Sequence, residues 1–135
     1  PKQLKEAIEL VKKNPHQDLV LDHIAKPLIK NKEIADWSKG ILEIGGFKNV
    51  YCKLSGLVTE ADWKNWSRSD FKEYLELVLK AFGIDRLMFG SDWPVCLLAA
   101  NYSQVLNIIE NFIEPLSGEE KRKIMGGNAC EFYRI

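Results

Sequence analysis

Three short apolar runs in this chain each stop on polar residues, and they stop at nearly equal intervals. "DLVLDH" (Asp18 to His23) runs into Lys26 and Pro27, "NVYCKLSG" (Asn49 to Gly56) ends on Ser55 and Gly56, and "DRLMFGSDWP" ends on Asp92, Trp93 and Pro94. His23 and Gly56 lie 33 residues apart, and Gly56 and Asp92 lie 36 apart. Each interval is the length of one strand, one helix and their two connections. Between the runs the apolar residues change to helical spacing: Ile34, Trp37, Ile41 and Ile44, then Phe71, Tyr74, Leu75, Val78 and Phe82. Strands that alternate with helices pair in parallel through right-handed crossovers.

The remaining segments fit that rhythm. Leu4, Ala7, Ile8 and Val11 predict an opening helix that Pro15 stops. The second helix is expected over 33–44, ended by Gly45-Gly46, and the third over 70–82, with Asp70 and Glu73 as its N-terminal capping pair and Gly83 as its breaker. A fourth over 103–113 turns Val105, Leu106, Ile109 and Phe112 inward. Ser117 and Glu120 have capping-box spacing for a further helix that stops at Gly126-Gly127, and a short helix over 129–133 closes the chain. The connection 57–69 is long for this fold class. Its two tryptophans, Trp63 and Trp66, suit either a substrate wall or a docked loop.

These elements could form a small doubly wound sheet or the second half of a (β/α)8 barrel, which takes about 250 residues in full. The first option lacks its central part, since neither GxGxxG nor GxxxxGK occurs. At 135 residues, one domain spanning 1–135 is expected. Lys plus Arg and Asp plus Glu are both 19, so the net charge is zero, which argues against nucleic acid as partner. No apolar stretch reaches the roughly 18 residues of a membrane span. Cys52, Cys96 and Cys130 stand apart from one another, which predicts reduced, packed thiols in a cytoplasmic protein. The start at Pro1, without Met and directly in a helix, is how a piece of a longer protein looks.

In parallel α/β folds the C-terminal strand ends face the functional crevice. His23, Lys26, Ser55, Asp92 and Trp93 collect there. Each also has a plainer reading. His23 could be a buried histidine beside Asp22, Asp92 could cap the next helix, and Lys26 could be a solvated loop lysine. Lys53 lies inside a strand, where a lysine needs a partner or an outlet to solvent. No GxSxG surrounds Ser55, which excludes a nucleophile elbow. His16 sits in the turn at the opposite end of the strands and is assigned no role.

Taken together, "LDHIAKP", "NVYCKLSGLVTEADW", "FGIDRLMFGSDWPV" and "IMGGNACEFY" resemble the amidohydrolase superfamily, in its amidohydrolase-2 branch. They are most similar to the sugar-lactonase group that includes L-fuconolactonases and 2-pyrone-4,6-dicarboxylate lactonases. The resemblance implies an α/β fold, the C-terminal half of a distorted TIM (β/α)8 barrel of the metallo-dependent hydrolase type. It matches the family's catalytic aspartate to Asp92, its single middle-strand histidine to His23, and a substrate-contacting basic position to Lys26. Trp93, Ser55 and Trp63 complete the expected substrate wall. The family's HxH pair is absent, for His16 and His23 are the only histidines.

The implied activity is a hydrolase that opens a sugar-acid lactone by carboxylate-assisted attack of water. A metal-dependent decarboxylase or amide hydrolase on the same scaffold is the alternative, and a non-catalytic interaction module is another. A divalent metal such as zinc, held by His23 and Asp92, is one expectation; catalysis without metal is the other. The expected partners are a small-molecule substrate and either a second copy or a complementary barrel half, with no nucleic acid and no membrane.

Overall fold

The computed structural model describes residues 3–135, so Pro1, on which the reading of a missing upstream part rested, lies outside the described residues. The strands are β1 (Leu19–Leu21), β2 (Val50–Leu54) and β3 (Leu87–Phe89). They form one parallel sheet in the order β1-β2-β3, with Leu21 opposite Cys52 and Leu54 opposite Phe89. Strand order follows chain order, with no reversal of the kind that marks the ligand crevice of a doubly wound sheet.

The helices are α1 (Leu4–Lys13), α2 (Ala35–Gly45), α3 (Leu57–Glu60), α4 (Ser69–Phe82), α5 (Tyr102–Phe112), α6 (Gly118–Arg122) and α7 (Asn128–Tyr133). Val50, Cys52 and Leu54 of β2 are buried, whereas Tyr51 and Lys53 between them are only partly so. Side chains alternate across a strand, so the first set joins the core with Trp37, Ile41 and Ile44 of α2 and Phe71, Leu75 and Val78 of α4. The second set faces away from that core, where Phe132 of α7 stacks edge-on to Tyr51 at 4.9 Å and Lys53 lies 5.8 Å from the Tyr133 ring.

Lys53 is not left unpaired on this face. Its Nζ sits 2.9 Å from an Asp22 oxygen, and that bond holds its pKa above the ordinary lysine value against the opposing effect of burial.

Backbone groups at the lower rim of the sheet are gathered by two side chains. The Arg86 guanidinium donates to the carbonyls of Phe47, Val50, Gly45 and Ala81 at 2.7, 2.9, 2.8 and 3.4 Å. Asn128, which is buried, donates through Nδ2 to the carbonyls of Ile84 and Leu87, both at 2.7 Å. Gly45 allows α2 to touch α4: a Cβ there would lie 2.7 Å from both the Cβ and the carbonyl oxygen of Ala81.

Several expectations need correction. The outer strands are shorter than the runs that predicted them, because Asp22 already begins a turn and residues 84–86 form another before β3. Asp70 reaches back to accept from the Ser67 amide at 2.7 Å, so the cap of α4 lies ahead of the Asp70–Glu73 pair. On α5, Ile108 takes the buried place expected of Leu106, and the capping box is Asn101 with Gln104. The Ser117–Glu120 box forms as expected. Cys52 and Cys96 are buried, but Cys130 is exposed. No helix among the described residues is long and apolar enough to cross a membrane.

Two outcomes test this description. Arg86→Met strips a cation from four carbonyls and should cost about 2–4 kcal/mol, read from the urea midpoint. Burial raises the Cys52 and Cys96 thiols above the ordinary range, so at neutral pH a thiol reagent should titrate Cys130 alone in the native chain and all three cysteines in denaturant.

Candidate active site

The upper ends of the three strands bring His23, Ser55 and Asp92 together. β1 gives way at Asp22 to a turn in which His23, Ile24, Ala25 and Lys26 have φ of 54, 46, 59 and 48°. Four consecutive residues, none a glycine, are thus left-handed. Left-handed helical backbone disfavours L-residues by roughly 1–2 kcal/mol each, or about 4–8 kcal/mol for the turn, and for a β-branched residue such as Ile24 it is rare. The surroundings hold it. The Lys26 amide donates to the His23 carbonyl at 2.8 Å. Ile24 is fully buried, its carbonyl accepts from the Trp37 indole at 2.8 Å, and its amide faces the Cys52 thiol.

β2 ends on Ser55 and Gly56. His23 Nδ1 and Ser55 Oγ are 2.8 Å apart. Gly56, at φ 66°, has no room for a side chain, since a Cβ would lie 2.7 Å from the Cβ of His23. The tight βα junction therefore presses the imidazole between the serine and the glycine.

β3 runs into Gly90, Ser91 and Asp92. Asp92 is itself left-handed, at φ 56°. Its Oδ1 lies 3.8 Å from His23 Nε2, and its Oδ2 is buried with no hydrogen-bond partner among the described residues. The next helical turn starts with no side-chain cap, so capping does not explain this carboxylate. Buried carboxylate oxygens are normally paired, because stripping water from them without compensation is costly. An unpaired one beside an imidazole marks this end of the sheet as the candidate site.

A cleft of about 720 Å³ opens beside His23, lined by Asp22, Lys26, Glu60 and apolar residues that include Leu4, Leu21 and Leu28. Lys26 Nζ lies 3.4 Å from Glu60, so the positive charge expected to contact substrate is partly neutralised by a residue that sequence reasoning overlooked. The signal was there in the "GLVTE" stretch, where Glu60 follows Gly56 by one helical turn.

The remaining expected residues divide. Ser55, expected to contact substrate, is 2% exposed, and its hydroxyl lies within hydrogen-bond distance of His23. Trp93 and Trp63 are exposed, at 64% and 49%. Trp63 donates to the Thr59 carbonyl at 2.9 Å, and Trp66 docks the same loop by donating to the Ala99 carbonyl, also at 2.9 Å. The tryptophan loop thus combines a docked residue with an open one.

A model of the Amidohydro_2 family, described as amidohydrolase, matches residues 1–135. The chain belongs to the amidohydrolase family. It is 43% identical over 127 residues to the L-fucono-1,5-lactonase of Burkholderia multivorans, covering 87% of this chain and 43% of that protein. It is 37% identical to the L-fucono-1,5-lactonase of Burkholderia ambifaria, covering 100% of this chain and 48% of that one. The crystal structure of a Burkholderia multivorans amidohydrolase with bound zinc superposes with a TM-score of 0.95 at 40% identity, over 99% of this chain and 50% of that one. This amidohydrolase chain spans about half the length of the curated relatives it matches.

The zinc in that relative raises the question of what these residues could hold. His23 and Asp92 offer a nitrogen and a carboxylate on one side, and the unpaired Oδ2 is a suitable donor. A catalytic zinc takes three protein ligands and a water. Among the described residues no group of three or more His, Cys, Asp or Glu side chains converges. The donor set of this amidohydrolase chain does not by itself complete a zinc site. The chain, loaded with zinc and passed through gel filtration, should therefore emerge with much less than one equivalent by metal analysis. Stoichiometric retention would reveal a third donor.

Proposed function

We propose that this chain carries the Asp92–His23 side of the active site of a lactone hydrolase, acting on a sugar-acid lactone such as L-fuconolactone. The observation that carries the reading is the buried Oδ2 of Asp92, unpartnered among the described residues, on the carboxylate that faces His23 Nε2 across the end of β2, from the ends of the two outer strands. Two relatives named as L-fucono-1,5-lactonases, at 43% and 37% identity, support it. The fold that goes with it is a (β/α)8 barrel, to which this chain gives three parallel strands and their helices. The rest of the barrel, from an upstream segment or a separate partner, completes the site.

The chemistry follows from the two side chains. A water held against Asp92 attacks the lactone carbonyl carbon, and its proton passes to the carboxylate. The carbonyl oxygen becomes an oxyanion, which His23 stabilises through Nε2–H, with Ser55 keeping Nδ1 engaged. The tetrahedral intermediate then breaks its bond to the ring oxygen. Neutral Asp92 returns the proton to that oxygen, giving the open hydroxy acid, which ionises and releases one proton to solvent. Zinc or another divalent metal would act here as a Lewis acid, but the donors in this chain do not complete its site, and no step above depends on it. Exposed Trp93 and Trp63 offer aromatic faces to the sugar ring, and Lys26 offers a donor to its hydroxyl groups.

The test is lactone hydrolysis, followed by a pH indicator, with this chain joined behind the upstream half of the Burkholderia multivorans lactonase. Asp92→Asn should lower kcat by about 10²–10⁴-fold on L-fuconolactone, the range for loss of a general base, while the fold by circular dichroism stays the same. Equal rates in both proteins would remove Asp92 from the mechanism. No turnover of any aldonolactone would favour decarboxylation or amide hydrolysis on the same scaffold.

A further inference from the structure

The left-handed turn that presents His23 is secured by a residue from the outer helical layer. Trp37 lies on α2, 13 positions beyond Ile24 in the chain, and is 3% exposed. A tryptophan in a core of Ile and Leu brings a polar N–H that must find a partner when buried. Here it finds the Ile24 carbonyl at 2.8 Å, one of the two peptide oxygens in the middle of the left-handed run. The Ile24 amide on the other side of the residue faces the Cys52 thiol of β2. The carbonyl of this strained residue is therefore bonded to a side chain of another element, and its amide lies close to one of a second. The ring of Trp37 is in turn set against Tyr74 of α4, with centroids 5.2 Å apart.

The consequence for His23 is geometric. Its imidazole has one partner on Nδ1, Ser55, which can donate or accept, and on Nε2 only the Asp92 carboxylate at 3.8 Å. The serine hydroxyl alone fixes neither the ring's height above the sheet nor its tautomer. Those depend on where the backbone of residues 23–26 holds the Cβ. If the turn relaxed toward ordinary right-handed geometry, His23 would leave both Ser55 and Asp92.

We propose that Trp37 is a positioning residue for His23: its indole N–H locks the left-handed turn that aims Nε2 at Asp92. It touches neither substrate nor the reacting atoms. The proposal extends the lactonase reading, yet its main readout needs no lactone.

The experiment compares the wild-type chain with Trp37→Phe, which keeps an aromatic ring and loses the N–H, and with Tyr74→Phe, which perturbs the same packing but leaves the indole bond. The readout is the pair of ring ¹⁵N shifts of His23. Assignment is simple, since exposed His16 is the only other histidine and serves as internal reference. In wild type the two His23 nitrogens should show one dominant tautomer. In Trp37→Phe they should move together toward the averaged values of His16, and in Tyr74→Phe they should stay in place. In the joined barrel described above, Trp37→Phe should lower kcat by about 10–100-fold with KM changed less than about twofold, as expected for a small misplacement of a reacting group.

Unchanged His23 shifts in a folded Trp37→Phe, or equal movement in both variants, would reduce Trp37 to core packing and overturn the proposal. If Trp37→Phe does not fold, indole hydrogen exchange in the wild-type chain decides. The Trp37 N–H should be protected at least a hundredfold over that of exposed Trp93, and equal rates would overturn the proposal. If no lactone is turned over, the ¹⁵N and exchange results still stand or fall independently.

Discussion

Arg86 is where the two strand–helix units are joined. Its guanidinium sits at the lower rim of the sheet and collects carbonyls from the end of α2, the turn after it, the start of β2 and the last turn of α4. Those are the places where a strand–helix fold leaves backbone acceptors without partners, since the last turn of a helix has no amides ahead of it. A cation there also suits the negative ends of the helices. Asn128 does the same for the approach to β3. With the lower ends tied, the register of the sheet is set, and so is the relative height of the upper ends that carry His23, Ser55 and Asp92.

The upper rim is built on the opposite principle. Where the lower rim satisfies its polar groups, the upper rim keeps backbone strain and one unpaired carboxylate oxygen. Strained backbone and orphaned polar atoms persist only where the surroundings over-determine them, and they gather at functional sites. Ile24, fully buried and with its carbonyl bonded to the Trp37 indole, shows how the core supplies that constraint.

The parts of this structure that were legible in the sequence are those that depend on local pattern. The helical stripes of α2 and α4, the parallel strands between them and the Ser117–Glu120 cap all follow from spacing and residue type. The placing of His23 and Asp92 at the same end of the sheet, on either side of β2, follows from the same rhythm. The left-handed turn does not. "DHIAKP" contains no glycine, and nothing within it asks for φ above zero; the cause lies 13 residues on, in Trp37, and on the next strand, in Gly56. The burial of Ser55 was hidden for a similar reason, because a side chain's depth at the end of a strand depends on the register of its neighbours. The sequence offered Trp63 and Trp66 as equals, and only the position of the Ala99 carbonyl separates the docked ring from the open one.

The contact between Gly45 and Ala81 bears on how the molecule can move. With no side chain to cushion them, α2 and α4 meet almost backbone to backbone, and neither can slide or rotate without collision. The outer layer behind β2 is therefore a stiff plate. His23 and Asp92 stand at the ends of strands backed by that plate.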